Sequence, residues 1–309
     1  MTAKVTLREM LAGGEQVWAP CIYDCLSAKV VEMVGYKALM LSSMEAAISM
    51  CGVPDGMMNS EELVWTVSRI AASSPLPLVV DAESGGATPL DVYRLCQRLA
   101  QAGAMGVTIE DTGGHWFADF DAGDGSLMDA AVWATNIKAA ASALRGTDCL
   151  LIARTNSKGG GLLESASYMG RALGIEEAIR RCTMGLDAGA DMTLIMDINH
   201  ADCMDEVREV SKRVPGWKMY PDIKADDGVP DVDLDEILSY GFNFVTNHAA
   251  LKGAMKGMLE YQKANFANRS TKYSENDDFG LGHNYLGDAF KDWVDRAAEF
   301  KRYRASLGG

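Results

Sequence analysis

Apolar, β-branched runs recur along this chain, with helically spaced stretches between them. Strand character falls at 16–19, 38–41, 78–81, 106–110, 150–154, 192–196, 217–220 and 242–246. Helical spacing fills the intervals at 27–34, 61–73, 89–102, 130–144, 175–188, 203–214 and 234–239. The pattern is clearest over 79–111. There an apolar run ends in Asp81-Ala82-Glu83, a helical segment follows, and a second run ends in Ile109-Glu110-Asp111. Eight strands alternating with helices predict an α/β fold, a (β/α)8 barrel over residues 1–250. A doubly wound sheet is the rival, but no Gly-x-Gly-x-x-Gly turn follows the first strand.

Two stretches break the rhythm, at 112–125 and 157–174. Both follow strands; 112–125 is expected to cover the carboxyl end of the barrel, and 157–174 is either a second cover or a disordered surface insertion. Beyond the eighth strand, two further helices are predicted at 250–266 and 285–305. They carry Met255, Met258, Leu259, Tyr261, Phe290, Trp293, Val294 and Phe300 on an apolar stripe. That exceeds what one barrel needs, so residues 251–309 are expected to form a helical extension for homo-oligomerisation.

With 48% hydrophobic and 23% charged residues among 309, the composition is that of an ordinary globular protein. A net charge of −14 and the lack of a basic stretch argue against a nucleic-acid binder. An acidic ligand must then be drawn in by a local metal or arginine. No apolar stretch reaches the roughly 20 residues of a membrane span. Residues 1–10 lack a signal peptide's apolar core, so a cytoplasmic protein is expected. Seven cysteines, an odd number with no C-x-x-C pair, argue against a disulfide framework or a zinc site. They read as small core residues.

The candidate chemistry lies at the predicted strand ends. Asp81, Glu83, Glu110 and Asp111 fall at the carboxyl ends of neighbouring parallel strands, the edge where such folds do chemistry. Four acids there would repel one another unless a cation sits among them, and Mg2+ (or Mn2+) suits such oxygen donors. The other reading is that strand-end polar residues cap the next helix, with Ser84 or Thr88 as the cap. Ser42, Ser43 and Met44 follow the second strand. Gly52-Val53-Pro54-Asp55-Gly56 reads as a turn presenting Asp55. Arg154 ends the fifth strand, and either offers a fork to a carboxylate or phosphate or pairs with a strand-end acid. Asn247-His248 ends the eighth. His248 is either an acid–base group or a hydrogen-bonded barrel residue, and His115 in 112–125 is either a second such group or an exposed loop residue. Together these residues suit a small 2-oxo or 2-hydroxy acid chelated to a divalent ion.

Seven motifs in order resemble the isocitrate lyase and phosphoenolpyruvate mutase superfamily. They are Tyr23-Asp24-Cys25-Leu26-Ser27-Ala28, Leu41-Ser42-Ser43-Met44, Gly52-Val53-Pro54-Asp55, Asp81-Ala82-Glu83-Ser84-Gly85-Gly86, Ile109-Glu110-Asp111, Ala153-Arg154-Thr155-Asn156 and Ala188-Gly189-Ala190-Asp191. The resemblance covers residue 5 to about residue 260. It implies a barrel whose C-terminal helix is swapped between subunits, in a dimer of swapped dimers. It implies Mg2+ at Asp81, mostly through water to Asp55, Glu83 and Glu110. It also implies a substrate carboxylate held by Arg154 and the Ser42–Met44 backbone, with Tyr23 and Asn247 in the substrate-binding set.

The implied reaction breaks or forms a C–C bond beside a 2-oxo-acid enolate in a small di- or tricarboxylate. Phosphonopyruvate C–P chemistry is the first alternative, and a non-catalytic oxo-acid binder the second. The departures are specific. Glu83 stands where an Asp is usual, and Thr112-Gly113-Gly114-His115 follows Glu110-Asp111 where the phosphonopyruvate enzymes carry a Lys. No Cys occurs in 112–125, where the lyases carry their catalytic acid. His115, with His248 behind it, is then the acid–base candidate. Isocitrate and 2-methylisocitrate are expected to be poor substrates.

Overall fold

Eight parallel strands hydrogen-bond in sequence order and close into a barrel. They are β1 (Val17–Ile22), β2 (Leu39–Leu41), β3 (Leu78–Asp81), β4 (Gly106–Glu110), β5 (Leu150–Thr155), β6 (Met192–Ile195), β7 (Trp217–Tyr220) and β8 (Phe244–Asn247). The coordinates are a computed structural model that describes residues 5–52, 57–112, 127–159, 173–224, 230–270 and 285–306, without side chains at 285–293. Closure of β8 onto β1, through Val17 opposite Phe244 and Pro20 opposite Asn247, rules out the doubly wound alternative.

Side chains alternate between the two faces of each strand, and the barrel makes one face its interior. Val79, Leu150, Ile152, Met192, Leu194, Met219 and Phe244 pack inside. Their odd-even neighbours Leu78, Val80, Val107, Ile109, Leu151 and Ala153 pack outward under the helices. The outer layer includes α2 (Cys25–Val34), α4 (Ser60–Ser73), α5 (Pro89–Ala102), α6 (Ala130–Leu144), α7 (Gly174–Asp187), α8 (Met204–Arg213) and α9 (Leu234–Ser239). Trp133 of α6 is fully buried in this layer.

The helix that follows β3 shows how local sequence frees the strand end. Thr88 caps α5, accepting from the Asp91 N–H while Asp91 reaches back to the Thr88 N–H, and Pro89 starts the first turn. Gly103 ends the helix with φ 106°, where a Cβ would meet Ala71 at 2.7 Å. With Thr88 as the cap, Asp81 and Glu83 are not needed for that role.

Three features depart from the expected pattern. A short helix, α1 (Leu7–Ala12), precedes the first strand and is fixed by a Thr6/Glu9 capping box. Leu7, Met10 and Leu11 pack with the barrel interior, and Arg8 pairs with Asp191, just before β6, at 2.8 Å. These contacts put α1 across the floor of the barrel. Second, β1 extends to Ile22 rather than ending at Ala19, so Cys21 is a strand residue opposite Met40. Third, Ser42 caps a four-residue helix, α3 (Ser43–Ala46), which runs into a π-helical turn, Ala47–Cys51, an element not predicted from the pattern.

The chain divides into two compact units, Met1–Leu251 and Lys252–Gly309. The second contains most of α10 (Ala250–Asn268) and all of α11 (Tyr285–Ser306). Met255, Met258, Leu259, Phe266, Val294 and Phe300 are exposed, Phe266 at 90%. No helix among the described residues is long and apolar enough to cross a membrane.

Candidate active site

The two-residue period of the strands selects which polar residues enter the mouth. On β3 the inward face continues from Val79 to Asp81, and on β5 from Leu150 and Ile152 to Arg154. On β4 the outward residues are Val107 and Ile109, leaving Thr108 and Glu110 inward. Register then aligns them: Asp81 pairs with Thr108, and Glu110 with Arg154.

Arg154 bridges the two acids. One terminal nitrogen lies 2.8 Å from Asp81 Oδ2 and the other 2.9 Å from Glu110 Oε2. The pairing reading of Arg154 therefore describes its contacts here. Thr108 donates to Asp81 Oδ1 at 2.8 Å, Asn156 donates through Nδ2 to Glu110 Oε2 at 3.0 Å, and Thr112 donates to Glu110 Oε1. Both acids are thus held in fixed orientations in a nearly buried setting. Glu83 adopts φ 52°, a left-handed conformation that costs a non-glycine residue about 1–2 kcal/mol. Its carbonyl accepts from the Glu110 N–H at 2.9 Å, and its carboxylate accepts from Ser43 of α3. The strained residue thus links β2, β3 and β4 at the mouth.

Asp111 corrects the expectation of four converging acids. It follows Glu110 and so points outward, where it is completely buried. Arg181 of α7 pairs with its Oδ2 at 3.1 Å, Thr155 donates to the same oxygen, and the Asn156 N–H donates to Oδ1 at 2.8 Å. Burial pushes its carboxyl above the usual range, against the lowering pull of Asn156, Thr155 and Arg181. Asp111 therefore ties β4 and β5 to α7 and takes no part in the cluster at the mouth.

On the arc β8–β1–β2, His248 lies between two partners. Its Nδ1 is 3.2 Å from Glu45 Oε1 on α3, and its Nε2 is 3.5 Å from Cys21 Sγ on β1. Burial lowers the basicity of His248. Cys21, Glu45 and Asp222 outweigh that effect and hold the imidazole well above its ordinary value. Burial raises the Cys21 thiol, with the imidazole opposing. Tyr23, half-buried after β1, is also raised by burial and by Asp24 and Glu45. Asn247 Nδ2 has no hydrogen-bond partner among the described residues. Ser42 is taken up in capping α3, and Met44 is half-buried on it.

Asp55 and His115 lie outside the described residues, as do 113–126 and 160–172 of the two stretches that break the strand–helix rhythm. Among the described residues, no three His, Cys, Asp or Glu side chains converge closely enough to hold an ion by direct ligation. Sequence reasoning missed Thr108, Asn156, Glu45 and the role of Cys21. Inward parity from Asp81 and Arg154 identifies Thr108, but nothing local marks Glu45.

An eight-stranded barrel with acids and an arginine at its carboxyl mouth defines a class of enzyme, and the comparisons identify the family. A family model described as phosphoenolpyruvate phosphomutase matches residues 7–264, and the chain belongs to that family. It is 33% identical to the petal death protein of Dianthus caryophyllus over 70% of this chain and 64% of that protein, just under two thirds of its length. It is 29% identical to the chloroplastic carboxyvinyl-carboxyphosphonate phosphorylmutase of Arabidopsis thaliana, over 94% of this chain and 83% of that protein. It is 24% identical to the 2,3-dimethylmalate lyase of Eubacterium barkeri over 84% of this chain and 85% of that protein. A crystal structure of a 2,3-dimethylmalate lyase shares the fold at a TM-score of 0.80, covering 99% of this chain and 97% of that one at 24% identity.

Proposed function

We propose that this protein is a Mg2+-dependent (or Mn2+-dependent) lyase or hydrolase acting in the cytoplasm. It breaks a C–C bond beside the enolate of a 2-oxo acid in a small di- or tricarboxylate. The observation that carries this reading is the Asp81–Arg154–Glu110 bridge on the inward face of three adjacent strands. Two carboxylates share one guanidinium there, so the group keeps a net charge of −1 before Glu83 is counted. The donors are hard oxygens, and the fully buried Asn156 Oδ1 has no hydrogen-bond partner among the described residues. That setting suits a hydrated divalent cation, which keeps several waters and needs few direct protein ligands. Asp81 would hold it, with Glu83, Glu110 and Asp55 assisting through water. Bound there, it would act as a Lewis acid toward the substrate's carbonyl and carboxylate oxygens.

The chain's own residues supply the rest. Arg154, held between Asp81 and Glu110, would give the substrate's carboxylate a cationic partner, with the backbone of Ser42–Met44 assisting. Tyr23 and Asn247 would complete the substrate-binding set. His248 is the described acid–base candidate, with His115 as the second.

The test is a metal-dependent screen of substituted malates, oxaloacetate and phosphonopyruvate, read by pyruvate release and by phosphate release. Pyruvate without phosphate is expected. Phosphate or phosphonate turnover would move the assignment to C–P chemistry, the second reading, which the family match and the phosphorylmutase relative support. Separately, millimolar Mg2+ with oxalate should raise the melting temperature of the native protein but not of Asp81→Ala. An unchanged melting temperature in the native protein counts against the metal site.

The same reading includes a homo-oligomer, a dimer of swapped dimers, built through α10 and α11. The exposed apolar residues on both helices support it. Light scattering should give a tetramer, and a monomer at micromolar concentration excludes it.

A further inference from the structure

We infer that Glu45, His248 and Cys21 form one proton-holding relay on the β8–β1–β2 arc, in which His248 exchanges a proton with the substrate's carbon while Glu45 and Cys21 position it. The inference rests on the reaction class proposed above. It starts from placement. In a closed barrel of eight strands, β1 stands opposite β5, so the relay faces Arg154 and the carboxylates across the mouth. Three separate elements contribute to it: the end of β1, the short helix after β2, and the residue after β8.

The contacts order the protons. The Glu45 carboxylate lies against Nδ1, and Cys21 Sγ lies against Nε2. A carboxylate accepts only, so Nδ1 carries a proton and donates to it. In the imidazolium form Nε2 also carries a proton and points it at sulfur, a weak acceptor that gives it up readily to a stronger one. Glu45 is 2% exposed, and its second oxygen has no hydrogen-bond partner among the described residues. A buried carboxylate left half-satisfied is costly, so its charge is placed there for the imidazole it faces. The raised basicity of His248 agrees with this arrangement. The groups facing His248 are Cys21 of β1, Glu45 of α3 and Asp222 beyond β7, with Tyr23 next to Glu45.

The step balances simply. When the C–C bond of a 2-hydroxy acid breaks, its electron pair stays on one carbon, while the other carbon becomes a carbonyl as its hydroxyl loses a proton to solvent. The Nε2 proton moves to that carbon, leaving neutral imidazole, and solvent restores the proton. No thiol in 112–125 is then required for the task.

Two measurements on the full-length protein test this. The first is NMR titration of the imidazoles. The chain has four histidines, and loss of one signal in His248→Asn assigns it. His248 should lose its proton well above the ordinary value of about 6.5. Glu45→Gln should weaken its proton affinity about tenfold or more. Cys21→Ala gives a second perturbation of the same signal if Glu45→Gln fails to fold. The second measurement is exchange of pyruvate methyl protons in D2O with Mg2+, a probe that needs no cleavage substrate. The native protein should catalyse it, His248→Asn should slow it by about a hundredfold or more, and Glu45→Gln should shift its pH profile to lower pH.

An ordinary His248 titration indifferent to both variants overturns the relay, as does the absence of catalysed exchange. If exchange is catalysed while the substrate screen fails, the relay stands and the proposed substrate class falls. If the screen succeeds while exchange fails, the reverse holds.

Discussion

Glu110 and Asp111 are consecutive carboxylates at the end of one strand, yet they belong to different parts of the molecule. Glu110 faces the mouth, where it shares Arg154 with Asp81. Asp111 faces the helices, where Arg181 and two hydrogen-bond donors from β5 and its end hold it. One position along a pleated strand is enough to separate a group available to a ligand from a group that ties helix to barrel. An acid at a strand end is therefore a site residue only if its parity points inward.

The largest test of this contrast is Asp111→Ala. It leaves Arg181 buried without its barrel partner, and the expected loss is about 3–5 kcal/mol in thermal or urea unfolding. A loss no larger than that of an exposed carboxylate would return Asp111 to the mouth. Gly185→Ala probes the same outer layer. A Cβ there would lie 2.6 Å from the Ala153 Cβ and 3.2 Å from the Trp133 ring, so α7 must move away from β5. Overpacking of this kind costs about 1–3 kcal/mol, and the metal-dependent melting shift should survive in the folded fraction.

Glu110→Gln should show the opposite pattern. Stability should change by no more than about 1 kcal/mol, because uncharged hydrogen bonds can replace much of the network. Metal affinity should fall by roughly 10–100-fold, read from the Mg2+ dependence of melting. Equal effects of the Glu110 and Asp111 variants on metal dependence would erase the distinction.

The smallest effect concerns pH. His248 has a raised folded-state value, so its stabilisation is complete below the ordinary imidazole value and is lost as pH rises through the folded one. The melting gap between the native protein and His248→Asn should narrow as pH rises above the ordinary imidazole value of about 6.5. A gap that widens over that range reverses the assigned charge.

Much of this architecture is legible along the chain because each strand is a short apolar run with a helix after it. Asp81, Glu110 and Arg154 are visible because a charge that ends such a run stands out. What escaped has physical reasons too. Asp111 was grouped with Glu110 by adjacency, although the period of two separates them. Cys21 resembles core filler until β1 is known to reach Ile22 and bring it beside the end of β8. Arg181 is one of two adjacent arginines on α7, and its partner is 70 residues earlier. The Thr6-x-x-Glu9 signature of α1 was present, but a six-residue helix carries too little periodicity to draw notice.

That helix has an electrostatic consequence. With Leu7, Met10 and Leu11 closing the floor, the barrel interior is a low-dielectric well with its acids at the other end. Field lines from Asp81, Glu83 and Glu110 cannot spread downward into a poorly polarisable core, so they leave through the mouth. A chain of net charge −14 repels an anionic metabolite over most of its surface, and the attraction for a cation is concentrated at this one aperture. A small acid that arrives already paired with a divalent ion would meet far less repulsion than the bare anion, so capture should depend more steeply on free metal than on free acid.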